Sequence, residues 1–496
     1  MMVDFTLLLL TWNVMDTSPS RDYVDHLSNF VASSISNGQG PDFIAIGFQE
    51  VKFPSFSEEP WINATKHALK VHDFVAIKKI RLVGILLIVL AKRDLLPRIR
   101  NLSTSYVKTG LAGYWGNKGA VGIRFDIDDK SLVVINSHLS AHDYNFPKRV
   151  KEYFVITQNM LFEMKKPIRY LTIGDHDVIM WIGDLNFRLE NIETHEISIN
   201  VDSYRSQSNS QNGSTKMLEY LLQYDQLPRA RTEFRAFESF TEPNITFLPT
   251  YKFKQFTDDY DLSRKPSWCD RILAKIGEKN FDSKIQADKY QAHFNLKQSD
   301  HKPVSQILKL SIPSKSKRSR RAVLFAKPTN WRTSRESAAF FTLEPNNFDL
   351  QDLSLTKQQL ASRNFSISDS PNFQNSLLMN SSHNVSVFDW VGLYPADFDD
   401  LDEPMTYVWI DPDPLSKLQS RSLSLLPNFS TPNDAASSSS SSSSETTNFN
   451  TNRSSAPWYR VDFSDLVLLR PGKCRLVYFN EIGDVLSISD PFEITP

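Results

Sequence analysis

Residues 178–188 read VIMWIGDLNFR. Val178–Ile182 is an unbroken apolar run of strand length, and the chain turns polar at once after it, with Gly183, Asp184, Asn186 and Arg188. A buried strand that ends in carboxylate, carboxamide and guanidinium groups points to a sheet covered on its faces, with its chemistry at the strand ends. The pattern recurs at Thr11-Trp12-Asn13 after Val3–Trp12, at Gly47-Phe48-Gln49-Glu50 in Asp42–Gln49, and at Asn136-Ser137-His138 after Leu132–Ser137. It appears twice more, at Pro266–Arg271 before Arg271–Ala274, and at Ser299-Asp300-His301-Lys302-Pro303-Val304. One such tip is an ordinary cap or turn; six between residues 11 and 304 are not explained that way. Further strands are expected at Val83–Ala91 and Ala120–Phe125. Tyr23–Ser36 has Val24, Leu27, Val31 and Ile35 at helical spacing, and Val150–Met164 also reads as a helix. Strands interleaved with helices give an α/β fold.

The chain has 496 residues, a length whose soft prior is about three domains. Lys and Arg number 56 against 57 Asp and Glu, a net charge of −1. That balance argues against a protein that holds nucleic acid by bulk charge. Cys269 and Cys474 make neither a disulfide framework nor a zinc ribbon. The apolar run Leu7–Leu10 follows Asp4 without a basic segment or a small-residue cleavage site, so no secretory leader is expected. Leu82–Ala91, the longest apolar run, is too short to span a bilayer. The expected location is cytoplasmic.

The residue types at the tips suit phosphoryl chemistry. Asn and Glu are oxygen ligands for a hard cation such as Mg2+. His138 and His142 supply half of a zinc site at most, and Gly110–Gly119 lacks the Gly-x4-Gly-Lys-Ser/Thr order of a nucleotide loop. Enhancement of phosphate-monoester hydrolysis can reach about 10^21, roughly 29 kcal/mol. A general base supplies only about 10^2–10^4 of it, so several positioned groups must share the work.

Trp181–Arg188 together with Pro266–Leu273 resembles the two signature motifs of the inositol polyphosphate 5-phosphatases. Asn13, Glu50, His138 and Asp300-His301 resemble the wider endonuclease/exonuclease/phosphatase superfamily, and Gly110–Gly119 and Pro249-Thr250-Tyr251-Lys252 strengthen the likeness across residues 4–312. The resemblance implies a four-layer α/β sandwich (DNase I-like), one Mg2+ and in-line attack by water. By position, Glu50 is the metal ligand, with Asn13 at or near the metal. Asp184 orients and deprotonates the water, and Asn186 holds a phosphoryl oxygen. His138 and His301 hydrogen-bond the transferring group, and Asp270 and Asp300 fix the histidines. Tyr251 and Lys252 resemble the pair that grips a ring 4-phosphate. Lys118, Arg149 and Arg271 are further expected substrate contacts, Lys118 and Arg149 toward a diester phosphate or the lipid surface. Two departures stand out. Asp261–Pro266 is shorter than the family stretch that brings another lysine, with Arg264 or Lys265 as substitutes, and Met15 stands where relatives often carry a polar residue.

The expected domains are a catalytic domain at 1–312, a basic and Ser/Asn-rich linker at 313–384, and an all-β sandwich at 385–496 with a disordered Ser-rich insertion at 415–455. The sandwich resembles the SKICH domain through Asp389–Tyr394 and Tyr407-Val408-Trp409. That pairing is similar to the skeletal-muscle- and kidney-enriched and the proline-rich 5-phosphatases. The cluster at 314–321 reads either as a solvated linker or as a patch for an anionic membrane. The expected partners are a phosphoinositide headgroup, a membrane surface touched peripherally and proteins met through the SKICH-like domain, with no nucleic acid. The alternatives are a nuclease of the same superfamily, or an interaction protein whose phosphatase activity is secondary.

Overall fold

The computed structural model describes residues 2–35, 40–52, 59–110, 115–206, 211–278, 283–313, 323–326, 328, 331–343, 385–412, 458–464 and 469–496. They fall into two compact units: Met1–Lys317 with Asp397–Glu403 and Ile482–Asp484, and the remainder. The basic cluster at 314–321 and the Ser-rich insertion at 415–455 lie outside the described residues.

In chain order the first unit comprises β1 (Met2–Asn13), α1 (Arg21–Ser34), β2 (Phe43–Gln49), α2 (Pro60–Lys70), β3 (Phe74–Leu82), β4 (Ile85–Lys92), β5 (Ile99–Gly110), β6 (Trp115–Ile127) and β7 (Lys130–His138). There follow α3 (Phe146–Asn159), β8 (Leu161–Lys165), β9 (Ile168–Thr172), β10 (Val178–Asp184), α4 (Thr194–Ser206), α5 (Gln211–Leu222), α6 (Gln226–Phe234), β11 (Asp270–Ile276), β12 (Lys284–Ala292) and β13 (Val304–Pro313). One sheet runs β12-β13-β1-β2-β4-β3 and the other β11-β10-β7-β6-β5.

Alternation along the strands builds the layers. Leu8, Leu10, Trp12, Ile44, Ile46 and Phe48 face outward and pack with Leu27 and Val31 of α1 and with Trp61 and Leu69 of α2. Val133, Ile135, Ile179 and Trp181 do the same on the other sheet, against Val150 and Ile156 of α3 and Leu227 of α6. The alternate residues meet between the sheets, where Phe43 and Phe125 approach to 5.2 Å. The result is helix, sheet, sheet, helix, as expected. Under α1 and α2, Trp12, Tyr23, Phe48 and Trp61 form a ring cluster. Each such pair adds about 0.5–1.5 kcal/mol beyond area burial. Asn136 is buried between the sheets and is satisfied there: its amide donates to Phe48 O and Leu86 O, and its oxygen accepts from Gln49.

The structure departs from the sequence reading in three places. The helix expected over Val150–Met164 starts at Phe146, with Pro147 in its first turn, and stops at Asn159; Leu161–Lys165 then alternates exposed and buried as a strand paired with β9. β3 joins β4 in a hairpin, and its Lys78, Lys79 and Arg81 hide the apolar alternation. Residues 323–343, assigned to the linker, contain β14 (Val323–Phe325), β15 (Trp331–Arg332) and β16 (Ser337–Leu343). Their Val323, Trp331, Ala339 and Phe341 are apolar and fill the second core.

The second unit continues with β17 (Trp390–Pro395), β18 (Thr406–Trp409), β19 (Trp458–Phe463), β20 (Gly472–Phe479), β21 (Val485–Ile488) and β22 (Phe492–Thr495). A β14-β16-β19 sheet faces a β15-β22-β20-β17-β18 sheet, with β21 paired to β20. Phe341 of the first meets Tyr478 of the second edge-to-face at 5.1 Å. Among the described residues no helix is long and apolar enough to cross a membrane.

Candidate active site

Strand register gathers the polar tips. β1 and β2 are parallel with Asn13 beside Gln49, so Glu50 follows directly. β7 and β10 are parallel with His138 beside Asp184. β11 runs antiparallel to β10, which puts its first residue, Asp270, opposite Asp184. β13 runs antiparallel to β1, with Val304 opposite Thr11, so Asp300-His301 arrive at the same edge. Gly119 pairs with His138 and brings Lys118 alongside.

Local geometry then aims the side chains. Gly183 has φ +144°, and a Cβ there would lie 2.0 Å from Ser137 O, so glycine is required where β10 presses on β7. Glu50 and Asn186 adopt left-handed backbone, φ 52° and 57°, which turns each out of its strand line. Trp12 Nε1 donates to His301 O at 3.0 Å, and Ser299 Oγ donates to Asn13 O at 2.7 Å, tying the β13 approach to β1.

Asp184 is the hub. Its Oδ2 accepts from Asn13 Nδ2 at 3.1 Å, lies 3.2 Å from His138 Nε2 and 3.9 Å from His301 Nε2, while Oδ1 accepts from Asn186 N at 3.1 Å. Glu50 Oε1 lies 3.7 Å from His138 Nε2, and Lys118 Nζ contacts the same nitrogen. His301 Nδ1 is held by Asp270 Oδ2 at 2.9 Å, and Asp270 also accepts from Thr250 Oγ1 at 2.7 Å. Thr250 fixes Asp270, a part sequence reasoning did not assign.

The electrostatics follow from burial and neighbours. Burial would raise Asp184, but His301 and His138 outweigh it and hold the carboxyl far below its ordinary range. Burial opposes the His301 imidazolium, yet Asp270 and Asp184 push its pKa up to about 9. Burial likewise opposes the Glu50 carboxylate, and His138 and His301 overcome it, leaving Glu50 lowered. Burial lowers the Lys118 ammonium and raises Asp300 and, to about 12, Tyr251.

Around this centre, Asn186 Nδ2 donates to Leu139 O at 3.1 Å and its Oδ1 accepts from Arg188. Tyr251 lies against His301 with ring centroids 4.4 Å apart. Lys252 Nζ pairs with Asp261 Oδ2 at 3.0 Å. Asp300 faces His301 electrostatically, but among the described residues its carboxylate hydrogen-bonds neither histidine; Asp270 does that work for His301 alone.

Two expected substrate contacts are otherwise engaged. Arg271 is buried against Asp225 at 2.7 Å and Glu242 at 2.6 Å, because the residue after Asp270 in a strand points to the opposite face. Arg149 is buried and donates to Ser140 O at 3.0 Å, His142 O at 2.7 Å and Gln226, shaping the loop after β7 from beneath.

Asp184, Asp270 and His301 form a buried group whose ligand atoms lie within 4.8 Å of one another, a donor set fit for a divalent cation. Asp270 is committed to His301, so the hard oxygens that could reach an ion belong to the half-exposed Glu50 and to Asp184, whose oxygens each already accept one hydrogen bond, from Asn13 and Asn186. The Asn13 carboxamide holds Asp184 through nitrogen and accepts Met15 N–H on oxygen at 3.1 Å, so Met15 enters through its backbone.

Residues 10–307 match the Endonuclease/Exonuclease/phosphatase family 2. The chain is 34% identical over 322 residues to the type II inositol 1,4,5-trisphosphate 5-phosphatase of Mus musculus, across 62% of this chain and 30% of that protein. It is 28% identical over 431 residues to inositol polyphosphate 5-phosphatase K of Mus musculus, across 82% and 80% of the two chains. Among solved structures it is similar to the inositol polyphosphate 5-phosphatase domain of a synaptojanin in complex with inositol (1,4)-bisphosphate and calcium ion. That match has 31% identity and a TM-score of 0.52, and covers 63% of this chain and 86% of that one. The chain spans 30% of the length of the first curated relatives it matches.

Proposed function

The chain belongs to the endonuclease/exonuclease/phosphatase family, among its inositol polyphosphate 5-phosphatases, and on that premise we propose that it hydrolyses the 5-phosphate of PI(4,5)P2 and PI(3,4,5)P3 headgroups, soluble inositol polyphosphates included. The observation that carries this is the convergence on Asp184 of Asn13, His138, Asn186 and His301 from separate strand ends, with Glu50 and Asp270 next to them.

Glu50 and Asp184, with Asn13 bracing the latter, are the residues to hold Mg2+. A bound Mg2+ supplies charge neutralisation on phosphoryl oxygens. Asp184, kept anionic by its neighbours, orients the attacking water and accepts its proton as the new P–O bond forms. Asn186 and His138 donate to the phosphoryl oxygens. His301, a cation braced by Asp270, offsets the charge that grows there. Tyr251 and Lys252 take the ring 4-phosphate, for which Lys252 must exchange Asp261 for phosphate. Lys118, in contact with His138, is a further cation for the substrate phosphates. We read the second unit as a SKICH-like targeting domain that brings the enzyme to membranes or to protein partners.

Phosphate release from Ins(1,4,5)P3 and from PI(4,5)P2 vesicles, with Mg2+ and after chelation, tests the reaction. Mg2+-dependent release confined to 5-phosphorylated rings is expected. Folded protein that releases none refutes the reading.

A further inference from the structure

Arg188 has no role in the chemistry above, yet it lies inside the site. It is 4% exposed, and no carboxylate pairs with it among the described residues. Its Nε has no hydrogen-bond partner. One Nη donates to Asn186 Oδ1, and the guanidinium lies over the Tyr251 ring, 4.3 Å from the centroid. Asp184 favours the buried charge through space, and with no carboxylate in contact the guanidinium bears most directly on what it touches. Here that is the oxygen of a carboxamide and the face of a ring that packs on His301.

The effect on Asn186 is specific. A carboxamide has an acceptor end and a donor end, and a flip exchanges them at little local cost. Here Oδ1 is occupied by Arg188, and one Nδ2–H is occupied by Leu139 O. The second Nδ2–H is left to donate. Reversed, the amide would present an oxygen to a phosphate oxygen, and the two would repel. A charge-assisted bond to Oδ1 also polarises the amide and strengthens the opposite N–H as a donor.

We propose that Arg188 is a positioning residue that locks the Asn186 carboxamide with its nitrogen, polarised by the guanidinium on its oxygen, toward the phosphoryl group. This rests on the reading of Asn186 given above. Arg188 acts through Asn186, so the two residues form one unit and their losses do not add.

The experiment is a double-mutant cycle in the full-length chain: Arg188→Met, Asn186→Ala and both together, with Arg188→Lys as the conservative variant. Two quantities are followed: kcat and KM on Ins(1,4,5)P3 with Mg2+, and affinity for inorganic phosphate by calorimetry. Arg188→Met should lower kcat roughly 10- to 100-fold and change KM less than about threefold. It should weaken phosphate binding about tenfold. With Ala at 186 the same change should matter less than about threefold, and Arg188→Lys should restore part of the loss. Equal factors in both backgrounds, a lysine variant no better than methionine, or a wild type that binds no phosphate overturns the proposal. Should the methionine variant not fold by circular dichroism, the lysine variant closes the cycle. A wild type that binds phosphate but hydrolyses no Ins(1,4,5)P3 ends the 5-phosphatase reading, and the phosphate cycle still decides on Arg188.

Discussion

Asp184 and Asp270 stand opposite each other across the antiparallel β10–β11 ladder, the last residue of one strand against the first of the other. Two carboxylates at such range repel unless cations lie between them. His301 lies between them, bound to Asp270 at Nδ1 and 3.9 Å from Asp184 at Nε2. The arrangement keeps the imidazole charged and Asp184 ionised, while burial and the nearby Asp184 raise Asp270 above the ordinary carboxylate range.

Asp184→Asn should therefore lower phosphate release by about 10^2–10^4 or more. Far-UV circular dichroism should be unchanged, since the carboxamide is isosteric. Activity within a few-fold of wild type would remove Asp184 from the centre of the mechanism.

The His301 pKa of about 9 sets a pH signature. A group raised above its ordinary value stays protonated below the raised pKa and loses its proton above it. Turnover that needs the imidazolium is thus present below about 9 and falls beyond. Asp270→Asn removes the larger support, so the alkaline limb should move toward 6.5, the ordinary histidine value. An unmoved limb would show that another group titrates there.

Lys252→Ala should raise KM about tenfold for rings carrying a 4-phosphate, the worth of one charge-assisted hydrogen bond. Rings without it should be little affected. Equal losses on both would assign Lys252 to the structure of the loop it shares with Asp261.

His293 and His176 enter the fold neutral, because burial lowers them to about 3 and about 4. Their folded pKa values are below the unfolded one, so the unfolded chain binds the extra protons as pH falls through 6.5. The stability they carry is complete above that value and is lost on acidification, at up to about 1.4 kcal/mol per pH unit for each. Urea midpoints at pH 7, 6 and 5 should show the decline, and His293→Gln should flatten it.

Gly183→Ala should cost about 3 kcal/mol or more, because the backbone is left-handed and the new methyl meets Ser137 O. Equilibrium unfolding reads it directly. A loss under about 1 kcal/mol would mean that β7 and β10 can part without penalty.

Much of the first unit could be read beforehand because strands buried on both faces are written as apolar runs, and polar residues at their ends have no packing reason to be there. Asn13, Glu50, His138, Asp184 and His301 carry that contrast, and the register brings them together. Arg271 and Arg149 carry the same polarity but spend it on buried partners, which requires knowing which face each residue takes. Arg188 stood inside the quoted motif, yet its contact with Asn186 depends on the left-handed turn at that residue. The short strands at 323–343 are separated by polar residues and have no local periodicity; only pairing with each other and with β19 and β22 defines them.

β1 lies between β2 and β13, so the first strand of this sheet in chain order is flanked on one side by the last. Until residue 313 has emerged, one edge of β1 stays open and His301 is missing. The nascent chain is therefore catalytically silent and exposes a sticky apolar ribbon for most of its synthesis.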